Sequence, residues 1–274
     1  MNKTQGFPSF DDHLQDLNQF VHELAGLYKE GKIKSWDDLE EKVDAFFTPE
    51  MMDRTEAVVP HWRKMASYAE GLTLTHVMCV FMGLYMMPEF LSMTQEAQQI
   101  MKWVILFHDV EKELQKGKRD HPHAFRSAVG AARTLPKLGF PVTSEYHSLI
   151  DEWDAFTRSA ITKLEGASDD VQDNRKLPII LDGIERMFGR NTSTALIIKT
   201  ILFHLSVNMS DWPPPNPISD EEIIRYFDIE LIPLLKVMNL GDGDGWTIFE
   251  PSVGEHGRLE IIEVFEKVAL LIAK

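Results

Sequence analysis

A single cysteine, Cys79, occurs in 274 residues, so no intrachain disulfide staples the chain and the composition suits a reducing compartment. Long apolar runs are also missing, and none approaches the roughly 18 residues of a membrane-spanning helix. Met1 to Gln5 leads into polar, proline-containing sequence where a signal peptide would have an apolar core. Cytoplasmic residence with no membrane partner is the expectation. Positive charge is scarce: 28 Lys and Arg stand against 43 Asp and Glu, a formal charge of −15. Phosphate neutralisation dominates affinity for DNA and RNA, so no nucleic-acid polymer is expected as a partner. Internal repeats, low-complexity tracts and strand-rich stretches are absent too.

What remains is helical periodicity. Leu14, Leu17, Phe20, Val21, Leu24 and Leu27 recur at helical spacing after Asp11 and Asp12, with Gly31 beyond them as terminator. Ser35 and Thr48-Pro49 open two more helices. Further helices are predicted over 72–85, 94–108, 144–164, 178–188, 194–207, 227–240 and 258–273, with another starting at Ser219. The sequence therefore predicts an all-α fold. We divide it into an N-terminal helical extension (1–70), a core (71–245) and a C-terminal helix packed on that core (246–274). His13, His22 and His61 read as ordinary surface residues.

The chemistry-bearing residues gather in the middle segment. Trp103 to Phe107 is an apolar run that stops at His108-Asp109, and adjacent helical positions point about 100° apart, so one metal could take both side chains. His76 lies in a nearly all-round apolar helix, where burial requires partners for its ring nitrogens. Cys79 shares its face but reads as a small hydrophobe. His121 and His123 flank Pro122 at a helix start, and two residues apart they cannot share a helical face; His123 is preferred as the one that reaches a site. His204 sits on another apolar run. Between Lys112 and Lys137 seven basic residues face two acidic ones, an island suited to a small anionic ligand or simply a solvated surface. Gly241-Asp242-Gly243-Asp244-Gly245 is not a calcium loop, because Trp246 and Thr247 occupy places where an EF-hand needs a ligand and its glycine.

Taken in order, His76, the His108-Asp109 pair thirty-two residues later, His123-Ala124-Phe125-Arg126-Ser127-Ala128 and Asp242 resemble the HD superfamily of metal-dependent phosphohydrolases. Leu106 to Lys112 looks like that family's signature, with Glu111 where a glycine is common. The resemblance covers roughly residues 70 to 245. It implies a single multi-helix HD-type domain with extra N-terminal helices, with His76, His108, Asp109 and Asp242 as ligands of a first metal and Asp211 as a rival to Asp242. It also implies His123 and His204 for a second metal or for substrate phosphate.

Two imidazoles and two carboxylates make a mixed N/O donor set suited to Fe, Mn, Co, Ni or Zn more than to Mg or Ca. Such a divalent ion lowers the pKa of bound water from about 15.7 toward roughly 7. Lys112, Arg126 or a protonated His123 would stabilise the charge developing on a phosphoryl oxygen. The leading expectation is hydrolysis of a phosphomonoester or phosphodiester in a small molecule, possibly a nucleotide, with one or two metal ions and with Asp109, Lys112, His123 and Arg126 as its catalytic residues. Two alternatives remain open: a non-catalytic HD-like helical module that binds a nucleotide or protein partner, and a di-iron oxygenase on the same scaffold.

Overall fold

A computed structural model of the chain describes residues 7–113, 120–163, 170–209 and 213–273. Helix α1 (Phe10–Lys29) is opened by a reciprocal Ser9–Asp12 capping box and buries Phe10, Leu14, Leu17, Val21 and Leu24. Each such side chain contributes about 1.5–3 kcal/mol on full burial. Ser35 caps α2 (Trp36–Phe46), and Thr48 caps α3 (Pro49–Val58), whose leading proline suits a first turn. A short α4 (Trp62–Ala66) then leads through left-handed Ala69, Glu70 and Gly71 into α5 (Leu72–Leu84). All of α5 after Leu72 is buried.

A one-turn α6 (Pro88–Leu91) precedes α7 (Gln95–Phe107), and α8 (His123–Thr134) and α9 (Tyr146–Arg158) follow. A two-strand antiparallel hairpin, β1 (Ile161–Lys163) and β2 (Asp170–Gln172), places Thr162 opposite Val171. Then come α10 (Leu177–Phe188), α11 (Ser193–Phe203), α12 (Asp220–Tyr226), α13 (Leu231–Thr247) and α14 (Pro251–Ile272). The fold is all-α, as expected. Buried apolar residues form one contiguous cluster from Phe10 to Val268, so the predicted extension, core and C-terminal helix share a single interior. Among the described residues no helix is long and apolar enough to cross a membrane.

Helix α5 packs against α1, α2, α7 and α13, while α11 packs against α7, α8, α10 and α13. These two helices are buried nearly all round, which is why their sequences show apolar residues on every face. The helix read over 144–164 ends at Arg158, because Ile161 and Thr162 are β-branched and find strand partners in Gln172 and Val171. The helix read over 227–240 instead begins at Leu231, where Asp228 Oδ1 accepts hydrogen bonds from the Glu230 and Leu231 amides. It also runs on through Gly241–Gly245. Each mid-helix glycine costs about 1 kcal/mol against alanine, but Gly241 and Gly245 lie where α13 presses on α5. A Cβ at Gly245 would lie 2.4 Å from Val80 Cγ2, and one at Gly241 would lie 3.3 Å from Val80 Cγ1. The last helix starts at Pro251, seven residues before the predicted Arg258.

Candidate metal centre

Five helices bring their polar side chains to one cluster inside this apolar frame. His76 projects from the middle of α5, and His108 caps the C-terminus of α7 with Asp109 directly after it. His123 is the first residue of α8, His204 caps α11, and Asp242 projects from α13. The ligand atoms fall into two groups, each within 4.8 Å of one another: His76, His108 and Asp242, and Asp109, His123 and His204. Adjacent His108 and Asp109 bridge the groups, with His108 Nε2 3.7 Å from Asp109 Oδ1 and 3.8 Å from Asp242 Oδ1. All six metal residues expected from the sequence are therefore brought together. Asp211 lies outside the described residues, and His121 and Cys79 belong to neither group.

Local backbone geometry sets the imidazoles. His108 Nδ1 donates to the Ile105 carbonyl at 2.7 Å, His204 Nδ1 to the Ile201 carbonyl at 2.7 Å, and His123 Nδ1 to the Asp120 carbonyl. A carbonyl can only accept, so each Nδ1 carries its proton and each Nε2 faces inward. An outer hydrogen bond of this kind fixes the tautomer of a metal-ligating histidine. His76 is held differently: Nε2 lies 2.9 Å from Asp242 Oδ1, while its ring stacks on Trp246 at 4.0 Å.

Two contacts call for a cation. His108 Nε2 is fully buried and has no hydrogen-bond partner among the described residues, which leaves a lone pair desolvated at a cost of roughly 1–3 kcal/mol. His123 Nε2 and His204 Nε2 lie 3.2 Å apart, and His123 Nε2 is 2.8 Å from Asp109 Oδ1. Facing lone pairs approach this closely only when a proton or a metal ion sits with them. The donor set of four imidazoles and two carboxylates, with His108 Nε2 and also His76 Nδ1 buried without a partner among the described residues, fits a mixed-ligand transition-metal or zinc site.

The charge states agree with that fit. Burial pushes His108 below its ordinary value, against the pull of Asp109 and Asp242. Burial, then His123 and His108, push His204 down to about 3. Burial alone would raise both carboxyls. Lys112, His108 and His123 nevertheless hold Asp109 well below the carboxylate range, and His76 and His108 do the same for Asp242. Neutral imidazoles and ionised carboxylates are the forms a metal binds.

Lys112 places Nζ 2.7 Å from Asp109 Oδ2, and although burial works against its charge, this pairing raises its pKa. Arg126 is turned elsewhere, donating to the Glu111 carbonyl at 3.1 Å and pairing with Asp120, so it braces the loop between α7 and α8. Glu111, in the place where the resembling family has glycine, accepts a 2.7 Å contact from His61 Nδ1 and packs near Gly130. His61, read as an ordinary surface histidine, thus ties the N-terminal helices to the site loop. Trp246 entered the sequence reading only as a residue that rules out a calcium loop. Its signal was its position four residues after Asp242, which puts both on one helical face.

No family model matches the chain, and neither curated proteins nor solved structures give a match.

Proposed function

We propose that this protein is a metal-dependent phosphohydrolase of the HD type acting on a small phosphorylated molecule. The observation that carries the reading is the buried, unpartnered His108 Nε2 between two three-residue groups that meet at His108-Asp109. His76, His108, Asp109 and Asp242 would hold a first ion, and Asp109, His123 and His204 a second. When bound, the metal supplies a water acidic enough to act as nucleophile at neutral pH and polarises a phosphoryl oxygen.

The chain's own residues do the rest. Lys112 Nζ, now on Asp109 Oδ2, is the cation nearest to where phosphate charge would develop, and it can share its three donors between Asp109 and a phosphoryl oxygen. Where only the first group is loaded, His123 Nε2 can carry a proton, held 2.8 Å from Asp109 Oδ1, and donate it to a substrate oxygen. Burial of His76, His108, Asp109, His123 and His204 excludes bulk water from behind the reacting groups. Arg126 acts through the loop it braces and not by contact with substrate.

The test begins with metal content after purification without added metal, comparing wild type with His108→Ala/Asp109→Ala of unchanged helicity. About one or two equivalents of Fe, Mn, Co, Ni or Zn in wild type, near none in the variant, and turnover of p-nitrophenyl phosphate only by the former would support the reading. A wild type that neither contains nor takes up metal sinks it. Four imidazoles with two carboxylates suit iron equally well, so oxygen-dependent cleavage at a di-iron centre is the second reading; product formation that requires both iron and oxygen would select it.

A further inference from the structure

One aromatic side chain is packed directly on the ligand groups, and neither group accounts for it. Trp246 lies on His76 with its ring 15° from parallel, yet it remains 42% exposed. Part of its ring therefore faces solvent beside the ligand groups and is open to a stacking partner. Trp36, the first residue of α2, meets Trp246 at 6.1 Å between ring centroids and at an angle of 40°. Phe249 supports Trp36 edge-on at 5.9 Å. Lys112 completes the arrangement: its Nζ lies 5.8 Å from the Trp246 ring and 2.7 Å from Asp109 Oδ2. Two indoles tilted 40° to one another thus stand beside a cation and the two His/Asp groups. That surface complements a planar ring joined to a phosphate group, because every aromatic base has a π-face that stacks on an indole.

We propose that Trp246 and Trp36 form a stacking platform for a planar heteroaromatic group on the phosphorylated substrate, which makes the ligand nucleotide-like. The placement of the phosphate rests on the phosphohydrolase reading; the stacking surface does not. Recognition then comes from segments outside the predicted 71–245 core: α2 from the N-terminal helices and the last turn of α13. The −15 charge of the chain agrees with a mononucleotide-sized ligand in preference to a polymer.

The decisive experiment is calorimetric titration of Mn²⁺-loaded protein with two uncleavable phosphonates. One is the analogue of adenosine 5′-monophosphate with CH₂ in place of the bridging oxygen; the other is propylphosphonate. Trp36 is the residue to change, because no ring contact or hydrogen bond joins it to a member of either ligand group. Wild type should bind the nucleoside phosphonate about tenfold or more tighter, within the usual range for a stacked base. Trp36→Ala should lose most of that preference with unchanged metal content and unchanged affinity for propylphosphonate, and Trp36→Phe should restore it. Equal wild-type affinity for the two probes overturns the platform, as does a Trp36→Ala variant that weakens both alike. If that variant proves insoluble, the wild-type comparison and Trp36→Phe still decide. Turnover of adenosine 5′-monophosphate and glycerol phosphate, measured in parallel, separates the two ideas. Selective binding without turnover of either ester leaves the platform standing and sinks the hydrolase reading; turnover of both without preference does the reverse.

Discussion

The two ligand groups are neighbours, but they are built by different means. In the Asp109, His123 and His204 group, both imidazoles stand at helix ends and are anchored by a carbonyl three residues earlier in their own segment. In the His76, His108 and Asp242 group, His76 and Asp242 stand in the middle of α5 and α13 and meet only because those helices pack closely at Gly241 and Gly245. The Asp109, His123 and His204 group is set by local backbone, whereas His76 and Asp242 are set by helix packing around a His108 that is itself anchored to the Ile105 carbonyl. Exposure differs at one residue: the Asp242 side chain is 26% exposed, whereas the other five members of the two groups are buried.

That contrast can be broken at either end. The largest effect is expected for His204→Ala, which should lower metal stoichiometry from about two equivalents to about one while the packed group keeps its ion. Elemental analysis decides this, and loss of both equivalents together would mean that the groups form one indivisible centre.

Acid comes next and acts on one histidine of each group. In the unfolded chain an imidazole takes up a proton as pH falls below about 6.5, whereas folded His204 resists protonation down to about 3, and His108 is shifted in the same direction. The unfolded state thus binds more protons between those values. Metal-free protein should lose stability as pH falls from about 6.5 toward 3, with a slope near 1.4 kcal/mol per pH unit from His204 and a further loss of the same sign from His108. These groups should have no effect above that range. Ionised Asp109 and Asp242 add loss of the same sign at the acid end, below the ordinary carboxylate value. Urea midpoints at a series of pH values would check this, and a flat profile between pH 4 and 6 would contradict it.

The smallest effect is expected at Gly245→Ala. The new methyl would meet Val80 Cγ2 at 2.4 Å and His76 Cε1 at 2.9 Å, overpacking worth about 1–3 kcal/mol of stability. Weaker metal binding at the packed group alone, seen by competition with a chelator, would sharpen the distinction. Equal weakening of both sites would blur it.

The same division explains what could be read from the chain. His76, His108, Asp109, His123 and His204 sit at helix ends or on apolar runs that periodicity exposes, and Asp242 follows such a run. The hairpin at Ile161–Lys163 and Asp170–Gln172 was not legible, because its pairing partners lie across a connection that local periodicity does not span. Gly241 to Gly245 looked like a helix end, since glycine is a poor helix former. Only the approach of α5 supplies the reason for a helix there. Trp36 and Trp246 are separated by most of the sequence, so their meeting belongs to the tertiary fold, and so does the contact of His61 with Glu111.

The carbonyl anchors of His108, His123 and His204 have an evolutionary consequence. Each anchoring oxygen belongs to the main chain of Ile105, Asp120 or Ile201, and every amino acid carries that same atom. Side-chain drift at those three positions cannot delete the acceptor, whereas a carboxylate acceptor would vanish with one codon change. Lineages descended from this sequence are therefore free to vary Ile105 and Ile201, within the demands of packing, while the imidazoles keep their orientation; Asp120 is held besides by its pairing with Arg126. Mutational tolerance at 105 and 201 should exceed that at Gly245, where the site depends on an atom that must stay absent.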